Sequence, residues 1–256
     1  MSDQKMKNHV RSSEMDLKKK EIWKTFDVIA RSYDITNRLL SFGLDLYWRK
    51  KVAHMVNDCN SVQSDSFDIL DLATGTGDVA ISISKRMKNG YRKIIGIDMA
   101  EKMLEIGRKK VAIKGLSDTI RLNREDATAL TFENEAFDVA TVAFGVRNFD
   151  PLLSGLSEIC RVLKPGGTAI VLEFSMPENS VIKFFYLMYL RYLLPLIGGL
   201  FSGNFKAYKY LNNTVESFSY GEEFCSKLRD SGFQTIEINR LCFGVATIYV
   251  GKKNKD

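Results

Sequence analysis

From residue 67 onward the apolar residues alternate between two patterns. Short continuous runs, at Phe67–Leu72, Ile94–Ile97, Ile120–Arg124, Phe137–Phe144 and Thr168–Phe174, read as strands. Between them lie stripes at helical spacing, such as Met103, Leu104, Gly107 and Val111, or Leu152, Leu156, Ile159, Cys160 and Leu163. The run at 137–144 is nearly unbroken, as expected of a parallel strand covered on both faces. Pro151 starts the helix that follows, and Lys164-Pro165-Gly166-Gly167 stops it. The chain closes with a helix at Gly221–Ser231 and two strands, Gln234–Leu241 and Val245–Gly251, spaced for an antiparallel hairpin. Strand and helix in alternation predict an α/β fold with a mostly parallel sheet.

Two stretches depart from that alternation. Residues 22–41 carry Trp23, Phe26, Ile29, Tyr33, Leu39 and Leu40 at helical spacing, and Asp45–Met55 reads as a second helix with Asp45 as its N-cap. Two helices therefore precede the first strand, placed to pack on the sheet or to act as a lid. Residues 178–215 are rich in aromatics and aliphatics but interrupted by Lys183, Arg191 and Pro195, which reads as too broken for a membrane-spanning helix. An apolar helix must be covered by protein, ligand or lipid. This one is expected to be either a buried core helix or a cover over the ligand end of the sheet. Residues 1–20 lack periodicity and read as a mobile tail. The remainder, 21–256, reads as one domain that includes a helical lid at 21–60 and the 178–215 insertion.

Composition narrows the function classes. The chain has 256 residues, 45% hydrophobic and 27% charged, which suits one large soluble domain. Its net charge of +6 is spread along the chain, with small clusters at Lys18–Lys20 and Lys252–Lys253, so no nucleic-acid partner is expected. Cys59, Cys160, Cys225 and Cys242 form no CxxC pair, and His9 and His54 are far apart, so neither a metal site nor a disulfide framework is read. Cys160 lies on an apolar helix stripe and reads as core. The polar N-terminus has no apolar targeting segment, and the cytoplasm is the expected compartment.

The chemistry starts at Asp71-Leu72-Ala73-Thr74-Gly75-Thr76-Gly77-Asp78, where a strand turns into a helix. Gly75 and Gly77 permit a sharp turn against a ligand, and the helix start offers unpaired N–H groups. Three acids fall at successive strand ends, Asp71, Asp98 and Asp126, the last followed by Ala127. Ligands of open α/β sheets sit beyond those ends, and an acid about 20 residues past the glycine loop binds a ribose hydroxyl, a role that Asp98 fits. Gly75-x-Gly77-x-x-Ala80 with Asp98 also satisfies a relaxed dinucleotide fingerprint. Asp71 and Asp78, flanking the place of two phosphates, count against a dinucleotide. They favour a cationic nucleoside, and S-adenosyl-L-methionine is such a ligand.

The succession DLATGTGD, GIDMA, EDATAL, FDVATVAFGVRN and RVLKPGG resembles the class I methyltransferases. Tyr33-Asp34 with Asn37, Leu40-Ser41-Phe42-Gly43, Trp48-Arg49, Phe144–Asn148 and Leu172-Glu173-Phe174-Ser175 narrow the resemblance to the UbiE/MenG family of quinone C-methyltransferases, from about Phe26 to Gly251. The resemblance implies a doubly wound, seven-stranded Rossmann-like sheet with an antiparallel last strand. It implies that Thr76, Asp98, Asp126 and Ala127 hold the cofactor, with Ala143 beside it. It implies methylation of a ring carbon of a prenylated demethylquinol. Arg147 is then expected to stabilise the phenolate electrostatically, with Asn148 as hydrogen-bonding partner. The proton acceptor stays open among a water held by Asn148, Asp34 or Tyr33, and His54. The stretch LSFGLDLYWR and the FGVA ending favour demethylmenaquinol over the ubiquinone-type benzoquinol. The prenyl tail is expected along residues 181–205, with transient contact at the membrane surface and homo-oligomerisation left open. The Asn/Asp-Pro-Pro-Tyr and Pro-Cys stretches of nucleic-acid methyltransferases are absent. A non-catalytic cofactor-binding module is the alternative of another class.

Overall fold

A computed structural model describes residues 23–59, 67–87 and 93–255. The expected N-terminal tail, with His9 and Lys18–Lys20, lies outside the described residues. Helices α1 (residues 23–40) and α2 (Leu44–Cys59) precede the sheet. Then follow β1 (Asp68–Leu72), α3 (Asp78–Arg86), β2 (Lys93–Asp98), α4 (Glu101–Ile113), β3 (Ile120–Arg124), β4 (Phe137–Ala143), α5 (Leu152–Val162) and β5 (Leu163–Phe174). The insertion comprises α6 (Ser180–Met188), a π turn (Tyr189–Leu193), α7 (Leu194–Ser202) and α8 (Phe205–Ser217). Helix α9 (Glu222–Asp230), β6 (Phe233–Leu241) and β7 (Ala246–Lys253) close the chain.

The sheet has seven strands in the order β3-β2-β1-β4-β5-β7-β6, and only β7 runs antiparallel to its neighbours. This is the doubly wound α/β sheet that the alternation and the resemblance predict. Alternate residues of each strand feed two cores. On one face Ile69, Val139, Ile170 and Ile248 pack with α2, α3 and α4; on the other Leu70, Leu72, Val142 and Tyr249 pack with α5 and α9. Continuous apolar runs are needed because both faces are covered. Cys160 is buried in the second core, as its helix stripe indicates.

Local differences have physical reasons. Residues 164–167 interrupt the β4–β5 ladder, whose register jumps from Phe137–Leu163 to Val139–Thr168, so the Lys-Pro-Gly-Gly turn is an irregularity at the start of β5. At the head of α2, Ser41 replaces the expected Asp45 as the capping residue. Its hydroxyl accepts the Asp45 backbone N–H (3.3 Å), while Asp45, 5% exposed, accepts the Ser41 O–H (2.8 Å).

The expected interruption at Pro195 does not occur. The helix is continuous through Pro195, and its 21-residue stretch Ser180–Leu200 is long and apolar enough by length and composition to cross a membrane. The π turn absorbs the ring that an α-turn would reject, and Pro195 sits in the first turn of α7. The helix has two unlike sides. Tyr186, Leu190 and Leu194 are buried at intervals of four and pack on α1 and α8 as a third core, over Phe174 and Val245. Phe184, Phe185, Tyr192, Leu196 and Leu200 are more than half exposed.

Candidate active site

At the carboxyl end of β1, Thr74 N–H reaches back to the Ile97 carbonyl (2.9 Å), and Gly75 and Gly77 adopt left-handed φ of 57° and 78° before α3 begins. Asp98, at the end of β2, fastens this loop to the next one. One of its oxygens accepts the Gly75 N–H (2.9 Å) and the other accepts the Ala100 N–H (2.8 Å). Burial pushes the Asp98 carboxyl above its usual range, and these N–H groups oppose the shift. Asp126 folds back on Thr128, accepting its N–H and its hydroxyl at 2.8 Å each.

Gly75, Asp98, Met99, Asp126, Ala127 and Ala143 line one cavity, closed on the α1 side by Trp23, Phe26 and Tyr33. Glu125 and Asp150 also reach it, and no lysine, arginine or histidine lines it among the described residues. A pocket whose only charges are carboxylates repels a pyrophosphate and suits a cationic nucleoside. Gly145 is required where β4 meets the loop, because a Cβ there would lie 2.3 Å from the Ala73 Cβ. The donor set therefore fits S-adenosylmethionine. Asp98 is the acceptor suited to ribose hydroxyls, and Met99, Met103 and Ala127 offer an apolar slot for a base.

Four residues expected at the cofactor do not line this cavity. Asp71 lies within β1, 1% exposed, where the hydroxyls of Thr74 and Thr141 donate to its two oxygens at 2.6 Å each. It braces the loop from beneath and does not line the cavity. Asp78 pairs with Lys110 (2.7 Å), so its charge is answered inside the protein. Thr76 donates to Asp34 (2.7 Å) and accepts from Lys110 (2.9 Å), and Asp34 pairs with Lys110 (2.5 Å). Neither Thr76 nor Asp34 lines this cavity. This cluster, with the Lys102 N–H donating to Asp27 (2.9 Å), holds α1 against α4. Gly77 likewise faces Gly107 and Leu122, supporting the turn from behind. The acids that favour a cation are thus Asp98, Glu125, Asp126 and Asp150, a different set from Asp71 and Asp78.

Burial pushes the Asp71 carboxyl up to about 6 from 3.8, against the two hydroxyl hydrogen bonds. The native state then binds the proton more tightly than the unfolded chain. The associated stability is full below pH 3.8 and is lost as pH rises through 6. Asp71→Asn removes this branch, so the variant is expected to gain on the parent by an amount of order 3 kcal/mol as pH rises from 4 to 7. Urea unfolding at a series of pH values checks this; parallel curves for the two proteins would contradict it.

The second cavity, ≈ 280 Å³, shares Phe26, Tyr33 and Phe144 with the first. Its walls are α1, the head of α2, and the inner side of the insertion, including Tyr186, Leu190, Leu194, Tyr208 and Leu211. Two cations enter this apolar space, Arg147 and Arg49. Arg147 follows β4 in a short 3₁₀ turn, and its side chain is 3% exposed. One guanidinium nitrogen donates to both Glu173 (2.7 Å) and the Phe144 carbonyl (2.7 Å), while Nε, also buried, has no partner. Glu173 is fully buried. Burial raises its carboxyl above the usual range, and Arg147 opposes that. Removing one member of such a pair costs about 3–5 kcal/mol, whereas the intact pair adds little to stability. Its effect here is to fix a guanidinium at the junction of the two cavities.

Asn148 lines the first cavity, and its Oδ1 accepts the Tyr210 hydroxyl from the second (3.1 Å). That leaves its amide N–H groups to offer. Tyr33 lines both cavities, and burial raises its phenol further above the neutral range, which keeps its O–H protonated at neutral pH. His54 is exposed on α2 and lines neither cavity. Glu173 and Arg49 carried no expected role. The readable signal for Glu173 was an acid inside a buried apolar strand, which is costly unless paired. Arg49 had no comparable signal, because a cation on a helix is ordinarily solvated.

Comparison with known proteins agrees with this geometry. The model of the ubiE/COQ5 methyltransferase family matches residues 14–253. The demethylmenaquinone methyltransferase of Bacteroides fragilis is 39% identical over 92% of this chain and 94% of its own. That of Thermus thermophilus is 42% identical over 89% and 99%. The ubiquinone/menaquinone biosynthesis C-methyltransferase UbiE of Geobacter sulfurreducens is 42% identical over 89% and 86%. Among solved structures, SAM-dependent methyltransferases from Thermotoga maritima and Aquifex aeolicus share the fold. Their TM-scores are 0.63 and 0.56, each at 18% identity, over 91% and 80% of this chain and 100% and 88% of theirs. With its acid-lined nucleoside cavity opening on an apolar one, the chain belongs to the ubiE/COQ5 methyltransferase family, whose methyl donor is S-adenosyl-L-methionine.

Proposed function

We propose that the protein methylates a ring carbon of a prenylated demethylquinol, converting demethylmenaquinol to menaquinol. The observation that carries this reading is the junction at Tyr33 and Phe144, where a carboxylate-lined cavity meets an apolar cavity holding Arg147. A cavity of about 150 Å³ accepts benzene, so ≈ 280 Å³ has room for a fused bicyclic ring. The names of the similar enzymes from Bacteroides fragilis and Thermus thermophilus support the naphthoquinol reading.

When bound, the cofactor would supply a methyl group on a sulfonium, transferable to the ring carbon with the C–S electron pair left on sulfur. The protein's part is to make that carbon nucleophilic and hold it in line. The quinol O–H proton passes to water, leaving a phenolate whose charge Arg147 stabilises, with Asn148 and Tyr33 as hydrogen-bond donors. The ring proton at the methylated carbon leaves to water as aromaticity returns, and the product phenolate takes a proton back to give the quinol, so one proton is released net. Oriented approach alone contributes about 7–11 kcal/mol, and α1, latched by Asp27 and Asp34, is suited to keep bulk water from the junction. Incubation with methyl-labelled cofactor and each demethylated quinol tests the reading. Label in menaquinol supports it; label only in the benzoquinol product, or in neither, refutes it.

The tail would leave along the inner side of Ser180–Leu200, at about 0.8 kcal/mol per buried CH₂. The outer side then meets the membrane surface that delivers the substrate. Phe42, 79% exposed at the turn between α1 and α2, lies at the same cavity, its ring 6.3 Å from that of Tyr189. Leu194→Glu, on the inner side, is expected to reduce turnover of long-chain substrate at least tenfold more than that of a chainless analogue. Phe184→Glu, on the outer side, is expected to act only when the quinol is presented in vesicles. Equal losses on both substrates for both variants would overturn this.

A further inference from the structure

Arg49 stands in the wall of the apolar cavity in an unusual electrostatic position. Its nearest carboxylate, four residues back in α2, is Asp45, with Oδ2 3.8 Å from Arg49 Nε, outside hydrogen-bond reach. Asp45 spends its other oxygen on the Ser41 hydroxyl (2.8 Å). Arg49 Nε is buried without a hydrogen-bond partner, and the whole side chain is 12% exposed. A cation withdrawn from water and left short of partners is costly unless an anion joins it. Arg147 differs, because Glu173 already answers its charge at 2.7 Å.

The placement of Arg49 is as specific as its charge. Its guanidinium lies over the face of Phe144, 5.8 Å from the centroid, and Phe144 is one of the residues common to both cavities. Phe144 in turn stacks on Phe174 (4.5 Å, 33° between planes), over which Arg147 lies at 5.7 Å. Two guanidiniums are thus mounted on one stacked pair of rings at the junction. Tyr33, whose phenol reaches the same junction, feels both, and Arg49 favours its ionised form more than Arg147 does. Burial nonetheless raises the Tyr33 phenol overall, so the effect of Arg49 is read as a difference between parent and variant.

We propose that Arg49 is a second substrate-binding residue, supplying a positive charge only weakly answered by Asp45 that draws an aromatic phenolate into the cavity, while the Arg147–Glu173 pair orients the ring. This rests on the quinol reading above. The step it assists is loss of the O–H proton to water with the electron pair kept on oxygen. It predicts that Arg49 governs the acidity of any phenol bound there, whether or not methyl transfer follows.

4-Nitrophenol, whose anion is coloured, is the probe. Because burial opposes both guanidiniums there, the comparison is between the titration of the bound form in the parent and in the variants. Arg49→Gln is expected to raise that titration by about one pH unit or more, and Arg49→Lys to keep most of the effect. Asp45→Asn, which keeps Arg49 and removes its weak partner, is expected to shift it further down, so the proposal survives a poorly folding Arg49 variant. Cofactor affinity by calorimetry is expected to stay unchanged in all three, because Arg49 does not line the cofactor cavity. For quinol turnover, Arg49→Gln is expected to cost about 100-fold in kcat/KM, less with a halogenated, more acidic quinol. An unshifted titration in Arg49→Gln, or no nitrophenol binding to the parent, overturns the proposal. A parent that shows the Arg49-dependent shift but methylates no demethylquinol would instead overturn the quinol reading and leave Arg49 as a phenolate-binding residue.

Discussion

Replacing Arg147 with glutamine is expected to lower kcat/KM for the quinol by about 10²–10³-fold, with cofactor affinity within about threefold of the parent. The asymmetry follows from placement: Arg147 lines the apolar cavity and is absent from the walls of the cofactor cavity. Stability must be separated from chemistry, because the single variant strands Glu173, 0% exposed, without its cation. A cost of about 3–5 kcal/mol is expected for that stranding. The paired variant Arg147→Gln/Glu173→Gln removes both charges together. It is expected to recover most of the lost Tm while recovering none of the activity. Recovery of turnover together with stability would show that Arg147 acts only through folding. Loss of activity in a protein as stable as the parent would show that the guanidinium itself is needed. Steady-state kinetics, calorimetry with the cofactor and thermal unfolding on the same preparations separate these outcomes.

Asp98→Ala is expected to weaken cofactor binding at least 100-fold, with Asp98→Asn intermediate at about tenfold. Asp98 does two things at once. It presents a carboxylate to the cofactor cavity, and it receives the Gly75 and Ala100 N–H groups that set the two loops. Hydrogen bonds to a charged group contribute about 1.5–3 kcal/mol each. Alanine loses both loop bonds and the acceptor proposed for the ribose, whereas asparagine keeps one acceptor oxygen and turns an N–H₂ toward a donor. Titration calorimetry with the cofactor measures the ordering. Equal affinities for Asp98→Ala and the parent would remove Asp98 from the site.

How far the site could be read from the chain depends on the range of the contacts. That Asp98, Asp126 and Ala127 line one cavity follows from local events, because a strand end and a loop start place residues beyond the sheet's carboxyl edge. Asp71 and Asp78 looked equivalent in sequence. A one-place difference in strand phase turns Asp71 toward Thr141 on the neighbouring strand β4, and Lys110, 32 positions after Asp78, neutralises it. Thr76 and Asp34 meet 42 positions apart, a pairing that no local spacing encodes. Pro195 misled for a related reason. Its cost to a helix is local, but the π turn that accommodates it packs into the third core through Leu190.

By itself, the sequence determined the order of strands and helices, the closing hairpin and the glycine turn between two acids. These follow from which residues are apolar at periods of two and 3.6 and from what a tight turn tolerates. Tertiary structure alone decided which carboxylates face the nucleoside cavity and which are consumed as internal partners. It also decided that Glu173 holds Arg147 across 26 positions and that Arg49, only weakly paired with Asp45, lies over Phe144. The reason is that the energy of a charge depends on its distance from others and on its exclusion from water. Neither quantity exists until the chain has folded.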